Sequence, residues 1–277
     1  MKHRRGRQRR EARALFGAAS ALFCIACDRP PIEWRDDASR LPREEAMQSV
    51  GLDASFLPLS APSPLPRRLD RCEGSIAYAH VAGRQAFAAW WLAQPDSGAA
   101  LVVQRTTDDG ATWSAPEIVD QRDSGHDGCG RPPPAVAADS ITGYLLIAYA
   151  SAPKEGTAVW FAHAMPTVTN GEPTLMWHAP VPVVFGDRLV HTAVAGVADT
   201  VVVAYEYPSG PHTQLGLAVS RTAGHLFSER MAVTVAGSAV SEPRVALRTK
   251  LVTLVWRATT LTADSTASWM IRAGRLK

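Results

Sequence analysis

The sequence predicts an all-β fold assembled from about four small antiparallel sheets, and three observations carry that prediction. From residue 71 onward, short runs rich in Val, Ala, Tyr and Trp are separated by Gly, Pro, Asp and Ser. No stretch there sustains a 3.6-residue apolar period, so few helices are expected. The strongest runs recur at intervals of 58, 56 and 51 residues, a period that fits one small antiparallel sheet per repeat.

The N-terminal segment comes first and has a different character. Of 277 residues, 46% are hydrophobic and 20% charged, so one large domain or two small ones can bury a real core. Residues 1–27 hold Lys2, Arg4, Arg5, Arg7, Arg9, Arg10 and Arg13 against Glu11 alone. Without them, the chain's 29 basic and 26 acidic residues fall to 22 and 25, a net charge near −3. The formal +3 therefore belongs to a targeting segment, and no basic stripe remains to bind nucleic acid.

After the cationic stretch, the apolar run Ala14–Ala26 has the length of a signal-peptide core and is too short to span a bilayer. Ala26 precedes Cys27, and Cys24-Ile-Ala-Cys27 resembles a bacterial lipobox, with Cys24 standing where Leu is usual. That resemblance implies a signal peptide over 1–26 and a lipid anchor on Cys27. It places the protein at the cell envelope, membrane-anchored and facing the periplasm or the surface. An ordinary signal peptide is the alternative. Cys72 and Cys129 then remain as one pair, either disulfide-bonded in an oxidising compartment or two free thiols. Residues 27–70 carry Pro30, Pro31, Pro42, Pro58, Pro62, Pro64 and Pro66, the composition of a tether.

Four repeats fill residues 71–277. Their strongest strands are Ala86–Leu92, Tyr144–Tyr149, Val201–Tyr205 and Leu251–Trp256, carrying Trp91, Tyr149, Tyr205 and Trp256 at or next to their ends. A shorter strand precedes each: Ser75–Val81, Ala135–Ala138, Thr192–Gly196 and Pro243–Leu247. Another follows: Ala100–Arg105, Thr157–Ala164, Gln214–Ser220 and Ser268–Ala273. This is the layout of β-propeller blades. A two-sheet sandwich is the alternative.

The most specific motif is Thr106-Thr-Asp-Asp-Gly-Ala-Thr-Trp113. Asp109-Gly110 suits the positive φ angles of a hairpin turn. Asp108, Thr106 and Thr112 can hydrogen-bond the turn's amides, and Trp113 can bury its ring between sheets. A worn copy, Ser220-Arg-Thr-Ala-Gly-His-Leu-Phe227, keeps Ser220, Gly224 and the aromatic but has Thr222 for the aspartate. Trp113 follows Trp91 by 22 residues, as Phe227 follows Tyr205. In the fourth repeat the same offset passes Lys277, so an outer strand must come from the N-terminal segment, with Phe56–Leu59 the candidate, or the ring stays open.

Thr106, Asp108, Gly110, Thr112 and Trp113 match the Asp-box Ser/Thr-x-Asp-x-Gly-x-Thr-Trp, and residues 71–277 resemble the sialidase-like BNR/Asp-box β-propeller superfamily. The resemblance implies a ligand face opposite the Asp-boxes. It does not imply catalysis, because the box stabilises turns in enzymes and binding proteins alike. Sialidases hold the substrate carboxylate with three arginines and use a tyrosine nucleophile with a glutamate base. Ser241–Arg257 resembles one part of that set, with Glu242 as base, Arg257 in the clamp and Arg244 nearby. No tyrosine follows Tyr207, where the nucleophile is expected.

Loops entering the inner strands and loops joining the second and third strands should share a face. They offer His126, Asp127, Arg131, Asp187, Arg188 and His191, then Asp96, Lys154, Glu155 and His212, for an acidic or sugar ligand. No metal-ligand spacing, phosphate loop or other cofactor motif is present. The expectation is an envelope lipoprotein that binds a glycan or an envelope protein without catalysis. The alternative is an exo-α-sialidase-type glycoside hydrolase.

Overall fold

A computed structural model describes residues 30–51, 72, 75–81, 85–95, 98–125, 128–139, 141–169, 171–262 and 265–277. Pro31–Lys277 forms one unit, and Met1–Pro30, with the proposed signal and Cys27, lies outside the described residues apart from Pro30.

Three short elements lead: β1 (Ile32–Trp34), β2 (Ser39–Leu41) and α1 (Arg43–Ser49). Blade 1 follows as β3 (Ala77–His80), β4 (Ala86–Ala93), β5 (Ala99–Thr106) and β6 (Glu117–Asp120). Blade 2 is β7 (Ala135–Ala138), β8 (Leu145–Ser151) and β9 (Ala158–Thr169), with its outer strand in two pieces, β10 (Glu172–Trp177) and β11 (Val181–Phe185). Blade 3 is β12 (Thr192–Val197), β13 (Thr200–Glu206), β14 (Gln214–Ser220) and β15 (Glu229–Thr234). Blade 4 is β16 (Ser238–Arg248), β17 (Leu251–Thr260) and β18 (Ala267–Leu276). Every pairing within the sheets is antiparallel, and the four sheets are arranged as a four-bladed β-propeller.

The second strand of each blade is apolar on both faces because both faces are covered. β8 is buried along its whole length, and Ala86–Trp91 of β4 likewise. The four strand-end aromatics read from the repeat are all within 1% of full burial: Trp91, Tyr149, Tyr205 and Trp256. Three cores lie between successive blades. Trp91, Tyr149 and Trp160 join blades 1 and 2. Tyr205, Phe161 and Phe227 join blades 2 and 3. Trp256, Val252 and Leu217 join blades 3 and 4. The outward faces of blades 1 and 4 are covered separately, by the Trp90, Tyr78 and Trp113 group and by α1 on Val255.

The outer strand of blade 4 comes from the N-terminal segment, as the repeat offset requires, but from other residues than Phe56–Leu59, which lie outside the described set. β1 pairs with Gly274–Leu276, and β2 pairs with Trp269–Ile271. Residues 32–50 are therefore part of the blade and not the start of a tether. Their prolines do not prevent this, since Pro30 and Pro31 flank an edge strand and Pro42 stands at the N-cap of α1. Glu44 and Glu45 in the first helical turn suit the positive end of its dipole, and Ala46 is fully buried.

The two motif turns superimpose bond by bond. Gly110 N–H donates to Thr106 Oγ1 at 2.8 Å, and Gly224 N–H to Ser220 Oγ at 3.0 Å. Thr112 N–H donates to Asp108 Oδ1 at 2.8 Å, and Leu226 N–H to Thr222 Oγ1 at 3.1 Å. Asp109 and Gly110 have φ of 59° and 84°, and Ala223 and Gly224 have 52° and 94°. The carboxylate of Asp108 adds two bonds that Thr222 cannot both supply, from Thr106 Oγ1 at 2.8 Å and Thr112 Oγ1 at 2.6 Å. The closing aromatics differ in surroundings. Phe227 is 2% exposed and edge-on to Phe161 of blade 2, with ring centroids 5.2 Å apart. Trp113 is only half-buried and tilts on Tyr78 of its own blade, with ring centroids 6.2 Å apart.

Cys72 and Cys129 form a disulfide across a separation of 57 residues, tying the entries of blades 1 and 2. In the chain-entropy picture such a loop stabilises the fold by about 4 kcal/mol.

Two substitutions test the turns. Asp108→Ala leaves one turn amide and two hydroxyls without an acceptor and should cost roughly 1–3 kcal/mol. Thr222→Asp supplies the missing carboxylate and should gain roughly 0.5–1 kcal/mol. Urea midpoints read both, and a neutral Asp108→Ala contradicts this account of the box.

Candidate functional site

At the junction of blades 3 and 4, the segment entering β12 meets the loop between β13 and β14. Gly186 permits this approach, since a Cβ there would sit 2.4 Å from Pro208 Cβ and 2.8 Å from its carbonyl oxygen. Asp187 N–H donates to Pro208 O at 3.1 Å, which fixes the contact. Arg188 then reaches the same loop. Its Nη2 donates to Tyr207 O at 2.5 Å, and its Nη1 lies 3.4 Å from Gly210 O and 3.3 Å from His212 Nε2. Arg188, Tyr207 and His212, with Leu189, Val190, Glu206, Gln214 and Val240, line a cleft of about 130 Å³. That is below the roughly 300–1,000 Å³ of sites that enclose a drug-sized ligand, so the cleft suits one end of a ligand.

Glu206 is the hub beneath it. Its Oε1 accepts from His191 Nδ1 at 2.9 Å and from the backbone N–H of Glu242 at 3.0 Å. Glu242 stands in a bulge where β16 slips register against β17 between Ser241 and Arg244, and its φ is 51°. Arg257 on β17 donates from Nη1 to Glu242 Oε1 at 3.2 Å. Arg244, half-buried beside them, donates to Pro243 O at 2.8 Å. Burial pulls its pKa down from the ordinary value, partly offset by the charge of Glu242.

The structure thus brings together Glu242, Arg257 and Arg244, and adds His191 and Arg188 from the neighbouring blade. Other sequence candidates go elsewhere. Arg131 is fully buried, donating from Nη2 and Nε to Asp123 at 2.6 and 2.7 Å and also to Gly128 O. It fastens the entry of blade 2 and is not open to a ligand. Lys154 and Glu155 sit in the β8–β9 loop, where Glu155 approaches Arg122 at 3.9 Å. Asp187 is exposed. Asp96, His126 and Asp127 lie outside the described residues.

Sequence reasoning missed Glu206, whose signal was a lone carboxylate closing a buried strand. It also missed Asp123 and Asp120. Burial pushes the Asp123 carboxyl up, but bonds from Arg131, Gly125 and Ser151 prevail and hold it below the usual range. Asp120 is held low against burial in the same way, by Arg122 and by the Tyr149 hydroxyl, which donates at 2.6 Å. A further unread group is His163, His178 and His225, whose rings pack together at the outer part of blades 2 and 3. Burial first, and the other two rings second, pull His163 down to about 4.

No family model and no curated protein matches the chain. Solved structures similar to it include the Trypanosoma rangeli sialidase in complex with the inhibitor DANA, at TM-score 0.46 and 17% identity over 67% of this chain and 34% of that one. The Penicillium chrysogenum alpha-L-arabinanase complexed with arabinobiose matches at TM-score 0.46 and 12% identity, over 74% of this chain and 63% of that one. The GH93 alpha-L-arabinofuranosidase of Fusarium graminearum with arabinobiose matches at TM-score 0.45 and 11% identity, over 75% and 64%. The chain spans about a third of the sialidase and just under two thirds of the other two.

The bond with Glu206 raises His191 above its ordinary value of 6.5, outweighing burial, and the charges on Glu206 and Glu242 add to the effect. A folded pKa above the unfolded one means that the contribution of the pair to stability is complete below about pH 6.5. It is lost as pH rises through the folded value. NMR titration of His191 should therefore give a midpoint above 6.5, and Glu206→Gln should lower it. A midpoint at or below 6.5 in the unaltered protein rules out this pairing.

Proposed function

We propose that the protein is an exported envelope lipoprotein, anchored through Cys27, whose propeller binds an acidic glycan at the cleft between blades 3 and 4 without hydrolysing it. The observation that carries this reading is the state of Glu242. Its carboxylate is paired with Arg257 and its N–H is held by Glu206. A glutamate so engaged holds the joint together and is a poor free base. Arg188 lines the cleft, and Arg257 and Arg244 stand by Glu242 next to Glu206; such guanidinium groups suit a carboxylate-bearing ligand, since guanidinium–carboxylate contacts are directional and strong. Of the chain's five tyrosines, Tyr207 lines the cleft, whereas Tyr149 and Tyr205 are buried in inter-blade cores. Tyr78 packs on Trp113 and Tyr144 on His163.

The lipidation reading rests on the cationic stretch, the apolar run and Cys24-Ile-Ala-Cys27. An oxidising compartment accords with the disulfide.

The second reading, a sialidase-type hydrolase, draws on the Asp-box and on the meeting of Glu242 with Arg257. Two assays separate the readings. On an array of sialylated and other acidic glycans, binding should weaken roughly tenfold to a hundredfold in Arg188→Ala and Arg257→Ala, the loss of one charged hydrogen bond. A fluorogenic sialoside should show no turnover above background. Turnover that vanishes in Glu242→Gln establishes the hydrolase instead. For the anchor, Cys27→Ser should move the expressed protein from the membrane to the soluble fraction; retention of the variant on the membrane contradicts the lipid.

A further inference from the structure

The three histidines at the outer part of blades 2 and 3 have no role in the cleft, and they lie at the opposite end of β14 from it. His163 is on β9 and is 2% exposed. His178 stands where the outer strand of blade 2 breaks between β10 and β11, its N–H donating to His163 O at 3.1 Å. His225 is on the exposed side of the motif turn of blade 3, its N–H donating to Thr222 O at 3.0 Å.

Their rings converge. His163 and His178 stack at 4.4 Å with 12° between planes. His225 stands edge-on to both, at 4.7 and 4.8 Å. One ring nitrogen from each lies within 4.8 Å of the others. Nε2 of His163 and Nε2 of His178 are buried without a hydrogen-bond partner. Buried polar nitrogens are nearly always satisfied, so two together, aimed into one imidazole cluster, mark a place for a ligand that the protein alone does not supply. Phe161 and Tyr144 wall the cluster on the inner side, with centroids 5.7 and 6.2 Å from His163, and leave His225 as the opening to solvent.

We infer that His163, His178 and His225 form a three-imidazole site for a divalent transition-metal ion, which joins blade 2 to blade 3. The donor set decides the class. Three neutral nitrogens with neither carboxylate nor carbonyl ligand suit Zn²⁺, Co²⁺, Ni²⁺ or Cu²⁺ and not Ca²⁺ or Mg²⁺, which take oxygen. Zn–N bonds of 2.0–2.1 Å in a tetrahedron place ligand atoms about 3.3 Å apart, so the nitrogens must close by up to about 1.5 Å, and His178 must turn out of its stack on His163 so that both in-plane lone pairs meet at the ion. His163 is fixed in a ladder. The closing falls to His225 on its turn and to His178 in the connection between β10 and β11. The fourth position then faces water.

The site explains a feature of the worn motif copy. His225 follows Gly224 directly, and Gly224 lies so close to Phe161 that a Cβ would sit 2.0 Å from its ring. The turn is pressed against blade 2, and this pressing brings His225 over His163.

The experiment uses untagged full-length protein freed of metal with a chelator. Titration with Zn²⁺ should show one equivalent bound and a rise in the melting temperature, because a ligand that binds only the folded state stabilises it. Co²⁺ should give the visible ligand-field bands of a tetrahedral nitrogen site, and Mg²⁺ and Ca²⁺ should do nothing. His225→Ala removes a solvent-facing ligand without opening the core, and should weaken binding at least about tenfold. His178→Ala should do the same. Absence of stoichiometric Zn²⁺ binding, or binding and Co²⁺ bands unchanged in both variants, overturns the proposal. Glycan binding at the cleft is read separately and does not bear on this outcome.

Discussion

An aromatic ring at the end of each second strand, pressed between its own sheet and an adjacent one, is the contact on which the rest of the architecture depends. A four-stranded antiparallel sheet alone exposes two apolar faces and is marginal in water. Stacking the sheets buries those faces, and the ring fills the wedge where adjacent blades diverge. Trp91 meets Tyr149 edge-on at 5.8 Å, and its indole N–H donates to Pro132 O at 2.9 Å in the entry to blade 2. Tyr205 needs Gly216 on the next strand, where a Cβ would fall 1.9 Å from its ring. Each joint therefore combines dispersion, burial and one or two directed bonds, and the disulfide reinforces the first of them. Asp139 does the same for the second, accepting from Thr142 in its own turn and from Ala198 N–H at 2.9 Å in the turn of blade 3.

This explains which parts of the fold were legible in the sequence. Strands buried on both faces read as unbroken apolar runs, and the aromatic at each end gave the repeat its period. Gln214–Ser220, buried from Leu215 onward, matches its predicted bounds for that reason, and half-buried Ala135–Ala138 matches its own as well. The paired turns were legible because their chemistry is local, five positions in eight residues. The closing strand was not. Ile32–Trp34 is three residues long and takes its identity from the edge of β18, which no local pattern records. Proline-rich flanks made it look like a linker, although proline is compatible with an edge.

The site divides in the same way. Glu242, Arg244 and Arg257 stood out because they resemble a known segment, and the antiparallel pairing of β16 with β17 does bring Glu242 to Arg257. Glu206 and His191 were invisible as a unit because 15 residues and a β-hairpin separate them. Arg131 misled because a charged loop residue was read as offered to a ligand, whereas Asp123, eight residues earlier, takes it out of water altogether. Buried ion pairs of this kind are defined by partners and not by composition. The three histidines are a more distant case, drawn from two blades, one from a strand and two from connections.

Glu242 gives the joint beside the cleft its particular character. A non-glycine residue at φ 51° is strained, and such strain persists only where surrounding contacts over-determine it. Here the ladder on either side of the bulge fixes β16, and the Glu206 carboxylate from blade 3 satisfies the displaced N–H. The strained backbone of one blade is thus held by a charge on the next, with His191 on the same oxygen. Under the proposed binding role, an acidic ligand seated beside Arg188 would add its charge next to Glu206, which also lines the cleft. It would therefore act on the contact that joins blades 3 and 4, so affinity at this face should track the rigidity of the joint as well as the presence of Arg188.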